Sequence, residues 1–187
     1  KLSNQYTVEV QKYIEEHNSN VVSFYTWYNQ FRTVRTELSE RKDIDIYYWI
    51  DGLGVDWVPL IVQLIEKYKN EDVYVNEVII ARSLLPTTTA NNKTELSKLA
   101  DNNLSKKGDL DSFAHKCSPY PKRIIEEMKI VKFAVEDIIG EHAGKKIAIV
   151  SDHGLSYLSQ MRPGYNIGGI KPDHSGRCAY KNSSSLT

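Results

Sequence analysis

The chain has 187 residues, enough for one domain at about 100–200 residues per domain, and a chain this long needs no disulfide or metal merely to fold. Lysine and arginine number 24 and aspartate and glutamate 24, so the net charge is zero and bulk basicity gives nucleic-acid binding no support. A hydrophobic content of 41% with 10% aromatics excludes a disordered chain, and no apolar run approaches the roughly 18–20 residues of a membrane span. The opening KLSNQYTVEV has no apolar leader region. Cys117 and Cys178 are the only cysteines and form no CxxC, which argues against a zinc ribbon or disulfide framework and fits a cytoplasmic protein without a membrane partner. The polar tail Lys181–Thr187 reads as a cut end, so a fragment of a longer protein is expected.

The elements follow in chain order. Val8, Val10, Tyr13 and Ile14 form a helical stripe that breaks near Asn18-Ser19-Asn20. Val21 to Arg41 reads as a second helix, with Phe24, Trp27, Tyr28, Phe31, Val34 and Leu38 spaced by threes and fours. The period then changes. Asp45 to Ile50 is an apolar, aromatic run that stops at Asp51-Gly52-Leu53-Gly54, the pattern of a buried strand meeting a glycine turn. Val58 to Tyr68 is helical, Val73 to Ala81 is a β-rich run ending before Pro86, and Thr94 to Ala100 reads as a short helix. Asn91 to Gly108 is polar overall and suggests a small lid or loop. Pro121 to Ile139 is an amphipathic helix, and Lys146 to Ser151 is the clearest strand, ending at Asp152-His153-Gly154. Tyr157 to Ile170 is a loop rich in glycine and proline.

Apolar strands alternating with helices predict an α/β fold with a mainly parallel sheet. Residues 1–42 are expected to be a helical segment packing on a core formed by 43–187. In parallel sheets the ligand crevice lies beyond the carboxyl ends of the strands. Asp51, Asp152 and His153 all fall at such ends.

Five histidines occur. His17 and His142 lie in polar stretches and read as surface residues. The other three each sit near an aspartate: Asp111-x-x-x-His115, Asp152-His153 and Asp173-His174. Carboxylates with imidazoles suit a divalent ion such as Zn²⁺ or Mn²⁺. Each motif alone also fits a surface turn or a helix cap. Their combination is more specific, because the strand ends point to a common edge. Pro86-Thr87-Thr88-Thr89 adds hydroxyls at that edge, and a threonine hydroxyl becomes a competent nucleophile when a base or a metal activates it.

Ile50-Asp51-Gly52-Leu53-Gly54, Leu85-Pro86-Thr87-Thr88-Thr89, Ser151-Asp152-His153-Gly154 and His174-Ser175-Gly176-Arg177 together resemble the alkaline phosphatase superfamily. Their order and spacing are most similar to its PglZ branch, found in BREX-type bacterial phage-defence systems. The resemblance runs from about Asp45 to Ala179. It implies a three-layer α/β sandwich and a phosphohydrolase with two divalent metal ions, Zn²⁺ foremost, with Mn²⁺ or Mg²⁺ as alternatives. One ion would take Asp51, Asp152, His153 and the Thr89 oxygen; the other would take Asp111, His115 and His174. Thr89 fits the family's P-x-x-T pattern counted from Pro86, with Thr87 and Thr88 as fallbacks, and Asp109 is a rival to Asp111.

By the same resemblance, Thr89 would attack phosphorus and a water would hydrolyse the phosphothreonine. Asn91, Asn92 or Arg177 would donate to a phosphoryl oxygen, the planar fork of arginine matching phosphate. The expected substrate is a phosphoester, of a nucleotide or a nucleic-acid end on the defence context alone, and other defence proteins are the expected partners. The alternative is a catalytically weak, metal-stabilised interaction module of a larger defence complex. The chain has little room for the cap that sets substrate in many members of the superfamily.

Overall fold

A computed structural model describes residues 8–19, 24–69, 72–85, 87–99, 104–115, 122–141, 144–154, 172–173 and 178–179. Helices α1 (Val8–Ser19), α2 (Phe24–Tyr28) and α3 (Val34–Ser39) precede strand β1 (Ile46–Asp51). A 3₁₀ turn, Val55–Trp57, leads into α4 (Val58–Glu66). Then come α5 (Thr89–Leu99), β2 (Ser105–Asp109), α6 (Leu110–His115), α7 (Lys122–Glu141) and β3 (Ile147–Val150). A short antiparallel pair, β4 (Pro172–Asp173) and β5 (Cys178–Ala179), follows.

The three main strands form a parallel sheet in the order β2-β1-β3. This is the α/β arrangement that alternating strands and helices predict. Because the strands run the same way, their carboxyl ends share one edge. Asp51 is the register partner of Asp109, and Trp49 is the partner of Val150, so Asp152 comes level with Asp51 two residues later.

Successive residues of β1 serve opposite faces, as the pleat requires. Ile50 joins Trp57, Leu64, Leu110, Val131 and Val135 in a core against α4 and α7. Trp49 joins Leu38, Leu96 and Val150 in a second core against α3 and α5. Through Leu38, the helical N-terminal segment reaches the sheet.

Several elements differ from the sequence reading. The helix expected over Val21–Arg41 is interrupted: among the described residues α2 ends at Tyr28 and α3 starts at Val34. The side chain of Thr33 accepts a hydrogen bond from the Thr36 amide and caps a new helix. Val8, Val10 and Tyr13 of α1 are exposed rather than packed. The run Val73–Ala81 forms no strand; the nearby backbone pairing is an isolated bridge of Thr33 with Arg82. Tyr74, Val78, Ile79 and Ile80 are exposed there, and β-propensity expresses itself only on a pleated, half-buried surface. The polar stretch Asn91–Gly108 is no lid. It supplies most of α5 and most of β2. Among the described residues no helix is long and apolar enough to cross a membrane.

One ion pair lies inside the α4–α7 layer. Arg123 Nε donates to Glu127 Oε1 at 2.9 Å, four residues along α7, and both side chains are buried. Burial raises the Glu127 carboxyl, and Arg123 pulls it back. Removing one partner of such a pair strands a charge away from water. Arg123→Met should therefore cost about 3–5 kcal/mol in urea unfolding, and the double change Arg123→Met, Glu127→Met should recover most of it.

Candidate metal centre

Asp152 anchors the site. It is 1% exposed, just past the end of β3. Its Oδ1 accepts two hydrogen bonds, from Trp49 Nε1 at 3.1 Å and from the Gly52 amide at 3.3 Å. Gly52 has φ of 73°, a left-handed conformation that costs glycine nothing and turns its N–H toward Asp152. The loops after β1 and β3 then touch through glycines. A Cβ on Gly154 would stand 3.0 Å from the Gly54 Cα, so the two backbones approach as closely as they do only without side chains there.

The second oxygen of Asp152 behaves differently. Oδ2 is buried and accepts no hydrogen bond among the described residues. It lies 3.6 Å from His153 Nε2, which is also 3.7 Å from Asp51 Oδ1. The other ring nitrogen, Nδ1, is 3.2 Å from the Gly154 carbonyl oxygen, which can only accept. That contact places a proton on Nδ1. Nε2 lies between Asp51 Oδ1 and Asp152 Oδ2, within 3.7 Å of each.

Thr89 opens α5 and carries its hydroxyl to the same place. Oγ1 is 3.2 Å from His153 Nε2 and donates to Asp51 Oδ1 at 3.4 Å. Asn92 holds the preceding turn: its Oδ1 accepts from the Leu84 amide at 2.6 Å, and its Nδ2 donates to the Leu84 and Thr88 carbonyls. The amide of Asn92 is thereby occupied and buried, so it serves the loop and not a phosphoryl group, contrary to the sequence reading.

The other side of Asp51 faces β2. Lys106 Nζ donates to Asp51 Oδ2 at 2.8 Å and to Asp109 Oδ2 at 2.6 Å. Asp109 Oδ1 accepts from the Ser112 amide at 2.7 Å, as a cap on α6. Both oxygens of Asp109 are thus engaged. Asp111, on the first turn of α6, groups with Asp51 and His153, one ligand atom of each lying within 4.8 Å of the others. Burial raises the Asp51 carboxyl, the hydrogen bond from Lys106 lowers it, and the charge of Asp152 raises it again. Burial opposes the Lys106 ammonium, but Asp109 and Asp51 outweigh that and hold its pKa above the usual lysine value.

The structure therefore brings together Asp51, Thr89, Asp111, Asp152 and His153. His115 ends α6, and its side chain lies outside the described residues, as do His174, Arg177 and the loop Tyr157–Ile170. Lys106 is the site residue that sequence reasoning missed. Its signal was weak, since a lysine in a polar run usually marks solvated surface.

The donor set suits a divalent cation. Two or three carboxylates and an imidazole offer oxygen and nitrogen ligands for Zn²⁺ or Mn²⁺, and Asp152 Oδ2 has no hydrogen-bond partner among the described residues. A cavity of about 40 Å³, lined by Thr33, Arg82, Asn92, Ser151 and Asp152 among others, reaches the site from the α3–α5 side. It has the size for water. No protein-family model, no curated protein and no solved structure matches the chain.

Asp152→Asn keeps an Oδ1 acceptor for Trp49 and Gly52 while removing the buried charge. The metal-free variant should match or exceed the wild type in thermal stability, since a buried unpaired charge is costly. Its affinity for Mn²⁺ or Zn²⁺ should fall at least about tenfold, as loss of a charged ligand demands. Melting curves with and without chelator, beside calorimetric titration, read both effects.

Proposed function

We propose that this chain is a metal-dependent phosphoesterase with Thr89 as its nucleophile. The observation that carries the reading is the position of the Thr89 hydroxyl, within 3.4 Å of both Asp51 Oδ1 and His153 Nε2, where Asp51, Asp111 and His153 gather. The motif resemblance to the PglZ branch of the alkaline phosphatase superfamily agrees with this placement, and it supplies the three-layer architecture and the phage-defence role as parts of the proposal. A second ion, held by Asp111, His115 and His174, completes the scheme that the resemblance implies.

Asp51, Asp152 and His153 would hold one ion, with Asp111 beside it. Divalent ions there supply Lewis acidity and charge neutralisation for an in-line displacement at phosphorus. The chain's own residues do the rest. The turn fixed by Asn92 and the start of α5 present the Thr89 oxygen in one orientation. That oxygen forms a bond to phosphorus as its proton leaves to solvent, and the bond from phosphorus to the leaving alcohol breaks. Water then cleaves the phosphothreonine and restores the hydroxyl. Such transfer is largely positioning and charge stabilisation, so a fixed hydroxyl among fixed charges is the contribution a protein must make.

Lys93 and Lys106 place their ammonium groups 5.3 and 4.7 Å from the centre of the Trp49 ring, beside the site. Lys106 is engaged by Asp51 and Asp109, and the carboxylates of the site outnumber its lysines, so a phosphate ester would depend on the bound cations. Nucleotides or nucleic-acid ends are the class we propose, on the resemblance alone.

Two variants test the reading against a bis-aryl phosphate and an aryl monophosphate, with metal content measured on the same samples. Thr89→Ala should retain bound ion while turnover falls about 10³-fold or more. Asp51→Ala should lose both. Undiminished turnover in Thr89→Ala removes the threonine from the mechanism. Metal-loaded wild type that cleaves neither ester supports an interaction module instead.

A further inference from the structure

We propose that Lys106 is a resident counter-cation of this site, competing with the metal ion for Asp51 and retreating to Asp109 when the ion binds. The inference rests on the reading of Asp51, Asp111, Asp152 and His153 as a metal site, and it adds a regulator of loading that neither the motifs nor the resemblance contains.

Asp51 divides its two oxygens. Oδ1 turns toward His153 Nε2 and Thr89, where the ion is expected. Oδ2 accepts from Lys106. The Asp51 side chain is only 8% exposed, and that of Lys106 is 37% exposed, so the pair is shielded on one side and open on the other. An ion drawing on Asp51 meets both a rival for the carboxylate's charge and a positive neighbour within a few ångströms. Coulomb repulsion at such range, in a partly dry site, is far from negligible.

Lys106 also has somewhere to go. Its ammonium already lies 2.6 Å from Asp109 Oδ2. Asp109 is itself immobilised, because its other oxygen caps α6, the helix that carries Asp111. Its Nζ also lies over the Trp49 ring, 4.7 Å from the ring centre, which narrows the paths open to it. The same tryptophan donates to Asp152. A short swing about the stem therefore releases Asp51 without exposing an unpaired charge. In the metal-free protein the ammonium screens Asp51 from Asp152 and keeps two neighbouring carboxylates compatible with folding. In the loaded protein the ion takes over that task.

The consequence is a lower apparent affinity for metal than the ligands alone would give. When only a fraction of the molecules present a competent Asp51, the apparent dissociation constant rises by the inverse of that fraction. Lys106 and Asp109 should then pull metal affinity in opposite directions.

Calorimetric titration of the whole chain with Mn²⁺ alone decides the matter, using wild type, K106M, K106R and D109N. Asparagine keeps the cap on α6 while weakening the place where Lys106 is held. K106M should bind Mn²⁺ about tenfold more tightly than wild type, and its metal-free form should melt at a lower temperature with a larger rise on loading. K106R, with its charge intact, should stay within about threefold of wild type, whereas D109N should bind several-fold more weakly as the ammonium leans on Asp51. Equal or weaker binding by K106M overturns the proposal while leaving the metal site standing. Should K106M fail to fold, D109N decides alone, and unchanged or tighter binding there overturns it. Absence of any binding of Mn²⁺ or Zn²⁺ by both wild type and K106M overturns the metal reading and this inference together.

Discussion

A carboxylate sealed from water is the constraint around which this molecule is arranged. Asp152 is almost fully buried, and desolvating a carboxylate costs several kcal/mol unless partners replace the lost water. Two N–H groups meet one of its oxygens. Supplying them dictates much else: an indole at Trp49 and not another aromatic, a glycine at position 52 with its left-handed backbone, and a pair of loops close enough to touch at Gly54 and Gly154. The other oxygen meets no donor among the described residues, which leaves it open to a cation or a proton donor.

Strands β1 and β3 were legible because each is an apolar run cut off by aspartate and a nearby glycine, and parallel strands of that kind end at one edge. That edge made Asp51, Asp152 and His153 readable before any coordinates. Strand β2 was hidden. Ser-Lys-Lys-Gly-Asp has no apolar residue, and nothing in its period distinguishes it from a solvated loop. The long helix expected before β1 failed for a local reason, since Thr33 makes a better cap than a helix interior residue. The β-rich run at 73–81 failed for a global one, because extended chain becomes strand only beside a partner, and the one bridge nearby lies just past it, at Arg82.

The polar strand is held by matching rather than by hydrophobic burial. Lys106 and Lys107 are neighbours, so they emerge on opposite faces. Lys106 serves Asp51 and Asp109 on one side. Lys107 serves Asp137 and Glu141 on the other, with bonds of 2.7 Å to each. Each ammonium also lies over an aromatic ring of β1, that of Lys106 over Trp49 and that of Lys107 over Tyr48, so cation–π attraction adds to the ion pairs in holding a strand without a single aliphatic residue on the sheet. Exposed ion pairs contribute little one at a time. Here carboxylates from β1, β2 and α7 address two adjacent lysines, and the set fixes the register of the edge.

The two borders of the sheet are consequently unlike. On the β2 side the last strand presents lysines, and charge of that kind discourages another chain from docking its backbone there. On the β3 side the last strand is Ile-Ala-Ile-Val, whose outer amides and carbonyls pair with no further strand among the described residues. The two edges of the described sheet thus differ in how strongly they discourage a further strand, with lysines within β2 and none within β3. The candidate metal centre lies at the carboxyl ends of the strands and away from both edges.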